Sequence, residues 1–171
     1  YRADFKGKLS SFITCESGVY VFTPPNNEQD TWSIEHILKT PVSDIAVYDL
    51  DNDGEDELVT IEPFHGNSFK IYKKMNDEYK VVYEYPFEVN FAHAIWAGDL
   101  AETPAAICGI RRVNEELFYV IYNKESNKFE ETIIEKNVGT ANVSVLHQNN
   151  RDVVISANHT KNEAALYFFE K

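Results

Sequence analysis

Residues 49–57 read Asp-Leu-Asp-Asn-Asp-Gly-Glu-Asp-Glu, a spacing that suits a hard cation. Asp49, Asp51, Asp53 and Glu57 fall at relative positions 1, 3, 5 and 9, with Gly54 at 6 and the carbonyl of Glu55 at 7. Alternate carboxylates on a tight loop place oxygen donors on one side, as Ca²⁺ requires. A helix-flanked calcium loop also needs a bidentate Glu at position 12, but Thr60 stands there, inside a strand-like run. The pattern predicts a calcium loop joining two strands. The plainer reading is a solvated Asp/Asn/Gly turn.

The elements that position this loop repeat along the chain. Aromatic strand-like segments recur as VYVF (19–22), FKIY (69–72), FYVIY (118–122) and LYFF (166–169), their starts 50, 49 and 48 residues apart. Before each lies a second run: SFITCE (11–16), ELVTIE (57–62), AAICGI (105–110) and DVVISAN (152–158). Three of these follow a further run, namely DIAVYDL (44–50), HAIWAGDL (93–100) and NVSVLHQ (142–148). A fourth set reads WSIEHIL (32–38), YKVVYEYP (79–86) and KFEETIIEK (128–136). Four strands in about 48 residues is the signature of a β-propeller blade. The alternative is a β-sandwich with coincidental spacing. The first unit shows no clear first strand and the last no fourth. The reading is therefore all-β, with 14 strands in units of about 1–41 (partial), 42–91, 92–140 and 141–171 (partial). That amounts to about three and a half blades of a larger, seven-bladed propeller. The rest of that propeller, or further copies, would cover the open edges.

The stretch DIAVYDLDNDGEDELVTIE resembles the FG-GAP/VCBS repeat of calcium-binding β-propellers, whose loop between the first two strands carries Asp-x-Asp-x-Asp-Gly-x-x-acid. The resemblance implies a structural Ca²⁺ in this loop alone, because the matching stretches elsewhere read GDLAETPAA, LHQNNRDVV and ADFKGKLSS. The phrases EPFHGNSFKIY, HAIWAGDL and VGTANVSV are similar to the propeller portion of aldos-2-ulose dehydratase-like proteins. That second resemblance implies a metal-dependent carbohydrate lyase that eliminates water from a keto-sugar.

Antiparallel blades put the start of each first strand and the end of each second strand on one face, opposite the acidic loop. Reading that rim gives Glu16, then Glu62 with His65, then Arg111 and Arg112, then Asn158 and His159, joined by His93 and Asn142. Glu62, His65 and His93 would make a two-histidine, one-carboxylate set for Zn²⁺ or a similar transition metal. His65, His93 and Arg111 are the candidate catalytic residues, as proton-transfer and carbonyl-polarising groups. Glu16, Arg112, Asn142, Asn158 and His159 are candidate ligand contacts. The bland reading leaves each a solvated turn residue and the chain a non-catalytic carbohydrate- or protein-binding module. Trp96 is expected in a blade core rather than in the channel.

Sixteen basic and twenty-eight acidic residues give a net charge of −12, which argues against a nucleic-acid surface. No run approaches the roughly 18 apolar residues of a membrane span. Cys15 and Cys108 sit in apolar strand-like contexts and read as two buried thiols rather than a disulfide. With no visible leader they favour the cytoplasm slightly over secretion. There is no glycine-rich phosphate loop and no Gly-x-Ser-x-Gly nucleophile motif.

Overall fold

The structure, a computed structural model, describes residues 1–63 and 66–171. Those residues form strands and turns, with no helix among them. Four antiparallel sheets follow one another along the chain, each a simple up-and-down meander. The first holds β1 (Arg2–Phe5), β2 (Lys8–Cys15), β3 (Gly18–Thr23) and β4 (Ser33–Leu38). The second holds β5 (Asp44–Tyr48), β6 (Glu57–Glu62), β7 (Ser68–Met75) and β8 (Glu78–Glu84). The third holds β9 (Asn90–Leu100), β10 (Thr103–Arg112), β11 (Leu117–Asn123) and β12 (Lys128–Glu135). The fourth has three strands, β13 (Thr140–His147), β14 (Arg151–Asn158) and β15 (Glu163–Glu170).

The first sheet thus has the strand that the sequence pattern did not show, making 15 strands rather than 14. It is the short run Arg-Ala-Asp-Phe, paired with β2 from Arg2↔Ser11 to Phe5↔Lys8. Only Ala3 and Phe5 turn toward the core, so half the strand is charged and the aromatic signature is missing. Lys6 and Gly7, with φ of 55° and 79°, close the hairpin as a two-residue turn of left-handed residues, which matches the twist of the flanking strands.

Packing between successive sheets explains why β6 is buried at every position and β10 from Ala105 to Ile110. Three cores lie between the four sheets. Phe12, Val19 and Val21 of the first sheet meet Ile45, Val47, Leu58 and Tyr72 of the second. The other face of the second sheet carries Val59, Ile61, Phe69 and Ile71 against Ala106, Cys108, Phe118 and Val120 of the third. Ala105, Ile107 and Leu117 turn from the third sheet toward Val138 and Val154 of the fourth. Alternate residues of a strand point to opposite faces, so a sheet packed on both sides buries both sets of side chains. Gly109 shows how close the approach is, because a Cβ there would stand 2.5 Å from Thr140 Cγ2 of the next sheet. Trp96 packs against the third of these cores, as expected.

Both cysteines are free, and Cys108 is fully buried. Cys15 is exposed, which corrects the expectation of two buried thiols. It ends β2, and its thiol lies 3.2 Å from the Ser17 hydroxyl in the turn to β3.

Candidate metal centre and rim

The acidic loop joins β5 to β6 and is the longest connection between a first and a second strand. In the first and third sheets the equivalent link is a two-residue turn, Lys6–Gly7 or Ala101–Glu102, each with positive φ. Such a turn has no room for several ligands, so neither of those sheets carries a matching loop. Asp49 organises the loop. Its Oδ1 accepts the Asp53 N–H at 3.1 Å and its Oδ2 the Gly54 N–H at 2.9 Å. Asn52 and Gly54 take left-handed backbone, with φ of 58° and 92°, which turns the chain sharply enough for those bonds.

This folding brings three of the expected ligands together. Asp49, Asp51 and Glu57 each offer a carboxylate oxygen within 4.8 Å of the others, and this group could hold a metal ion. Glu57 is fully buried, and its Oε2 accepts the Leu50 N–H at 2.8 Å. Burial pushes its carboxyl up to about 7; Asp51 adds to the rise, while Lys73 and the Leu50 N–H oppose it. Asp51 Oδ1 is buried with no hydrogen-bond partner, an orphan acceptor of the kind a cation would satisfy. The side chain of Glu55 is exposed, and its N–H donates to Asp53 Oδ1 at 3.0 Å.

Sequence reasoning missed Lys73. Its ammonium stands 2.5 Å from Asp51 Oδ2, 2.7 Å from Asp53 Oδ2 and 3.0 Å from Glu57 Oε1. Burial alone would lower its pKa, but these three carboxylates hold it well above the usual lysine range. Only register reveals it: β6 and β7 pair Leu58 with Tyr72, so Glu57 and Lys73 face each other one step further along. Beside the loop a groove of about 550 Å³ opens between the first two sheets. Phe5, Phe12 and Leu58 form its apolar wall, and Asp4, Glu55 and Asp56 its acidic one.

On the opposite face, Glu62 is buried and its oxygens are engaged. Oε1 accepts the hydroxyls of Thr60 at 2.8 Å and Tyr72 at 2.7 Å, and Oε2 accepts Lys70 Nζ at 3.0 Å. Asn158 occupies the matching place at the end of β14. Its Oδ1 accepts the Ser156 hydroxyl at 2.6 Å, and its Nδ2 donates to Tyr167 at 2.9 Å. Leu58↔Tyr72 and Val154↔Tyr167 are corresponding pairs, so the same hydroxyl–polar–tyrosine brace recurs two sheets apart. These two rim residues serve packing before they can serve a ligand.

His65 lies outside the described residues. His93 is exposed at the start of β9, with Nδ1 2.8 Å from the Ala141 carbonyl of the next sheet. A neutral ring in that contact carries its proton on Nδ1 and its lone pair on Nε2. The ring stacks on Phe91 at 5.4 Å, and the Arg112 guanidinium lies over the same Phe91 at 4.7 Å. Arg111, Arg112 and His159 line one cavity of about 350 Å³, together with Glu115 and Thr160. Glu16 and Asn142 are exposed, in the first and fourth sheets respectively, and do not line that cavity. Among the described residues, the acidic loop is the one group of three or more metal-ligating side chains close enough to share an ion. The sequence matches no protein-family model, and no curated protein matches it significantly.

Proposed function

We propose that the chain is a run of β-propeller blades of the FG-GAP/VCBS kind, stapled by Ca²⁺ and acting as a carbohydrate-binding module. Asp49, Asp51 and Glu57 hold the ion, and Asp53 and the Glu55 carbonyl complete its oxygen shell. The observation that carries this reading is the convergence of three carboxylates around an orphaned, buried Asp51 oxygen. Four meandering sheets stacked face to face at a constant sequence period support the blade architecture. The ion's part is structural: it ties the end of β5 to the start of β6. Recognition falls to the opposite face, where Arg111, Arg112 and His159 share a cavity with Glu115 and Thr160. Two guanidinium groups beside a histidine suit sugar hydroxyls or a sugar carboxylate.

Elimination of water from a keto-sugar is the second reading, favoured by the His93 ring and the Arg111 guanidinium both lying against Phe91. In it, Arg111 polarises the carbonyl, His93 takes the α-proton, and hydroxide leaves from the β-carbon. Thermal unfolding with and without Ca²⁺, followed by glycan binding and keto-sugar dehydration assays, separates the possibilities. A Ca²⁺-dependent rise in Tm that Asp51→Asn abolishes, with glycan binding lost in Arg112→Ala and no turnover, supports the module. Turnover lost in His93→Ala supports the lyase. No response to Ca²⁺ overturns the staple.

A further inference from the structure

We propose that Lys73 is a built-in competitor for the metal: its ammonium is the counter-ion of the metal-free loop, and a divalent cation binds by expelling it. This rests on the calcium reading of the loop and adds the means by which occupancy is controlled. Lys73 projects from β7, one strand removed from the loop, and reaches the carboxylates because Glu57 faces it across the β6–β7 pairing. Three of the six carboxylates in residues 49–57, on Asp51, Asp53 and Glu57, lie within 3.0 Å of its nitrogen. Its side chain is only 18% exposed, so the amine lies among the carboxylates rather than over them. A metal coordinated by Asp51 and Glu57 would stand within about 4 Å of that amine, where two cations repel strongly in a partly buried site.

The ammonium and the metal therefore exclude each other. The loop's carboxylates outnumber its one ammonium, which still favours a divalent ion, yet not at the affinity an acidic loop without the lysine would have. Two consequences follow. The loop keeps its folded shape without metal, because Lys73 satisfies the buried Glu57. It also fills only when divalent cation is abundant, and filling drives a lysine into solvent. The site is thus an exchanger of one cation for another rather than a permanently loaded staple.

The test compares wild type and Lys73→Met, stripped of metal by chelation and titrated calorimetrically with CaCl₂. In parallel, mass spectrometry follows acylation of Lys73 in the wild type by a water-soluble amine reagent, with CaCl₂ or with NaCl at equal ionic strength. The expected results are at least tenfold tighter binding by Lys73→Met and several-fold faster acylation of Lys73 when calcium is bound. Equal or weaker binding by Lys73→Met overturns the inference, as does unchanged acylation in calcium-loaded wild type; in both cases the calcium reading stands. Absence of binding by either folded protein overturns both. If Lys73→Met fails to fold, acylation of the wild type decides the matter alone.

Discussion

Replacing Glu62 by alanine removes the one carboxylate on which Thr60, Tyr72 and Lys70 converge. Thr60 and Tyr72 are buried, so their hydroxyls would lose an acceptor that water cannot easily replace. A buried polar group left without a partner costs about 1–3 kcal/mol. Lys70 is 21% exposed and has Glu84 within 3.9 Å, so it retains a partner and adds little. Two stranded hydroxyls and the lost packing sum to about 3–5 kcal/mol, a large part of a typical domain's stability. Glu62→Gln keeps one acceptor and should cost about half as much. Tyr72→Phe alone should cost about 1 kcal/mol, and nearly nothing when Glu62 is already alanine, because the two share one interaction. Urea unfolding of wild type and the four variants, the double Glu62→Ala/Tyr72→Phe included, in chelator measures this. A loss below about 1 kcal/mol in Glu62→Ala, or additivity with Tyr72→Phe, would refute the brace and return Glu62 to its reading as a rim metal ligand.

Two further outcomes follow from buried groups. Asp152 is 1% exposed; burial would raise its pKa, but the Ala101 N–H, Lys171 and His147 together hold it below the usual carboxylate value. A depressed folded pKa contributes stability above the unfolded value near 4, lost as pH falls through the folded one. Wild type should therefore exceed Asp152→Asn in Tm at neutral pH and lose that advantage below about pH 4; a constant difference would exclude the linkage. Of the two thiols, Cys15 is exposed with its pKa lowered chiefly by the Ser17 hydroxyl, whereas burial pushes Cys108 far up. One equivalent of a disulfide reagent should react in native protein and the second only on unfolding, and two fast equivalents would show the third sheet to be open.

Much of the architecture was legible because aromatic and branched residues recur at a fixed interval, and period is read without knowing contacts. What escaped were features that depend on a neighbouring strand. The run Arg2–Phe5 hides as a strand because its outward half is charged. Glu62 and Asn158 looked like rim ligands because chain order shows where a strand ends, not which way its last side chain points. Their partners, Tyr72 and Tyr167, lie on the next strand and become visible only through register. Lys73 was hidden in the same way. The acidic loop itself was readable, since its ligands lie within nine residues and Asp49 folds them locally. The arginine cavity needed both views: Arg111, Arg112 and His159 were named from strand ends, but only stacking of the third and fourth sheets joins them.

The measurement closest to the central claim is anomalous difference density from crystals grown in CaCl₂. The account predicts one strong peak between Asp49, Asp51 and Glu57, at roughly 2.3–2.6 Å from their oxygens, with the Lys73 ammonium moved away. A loop with no peak and Lys73 still seated among the carboxylates would contradict it.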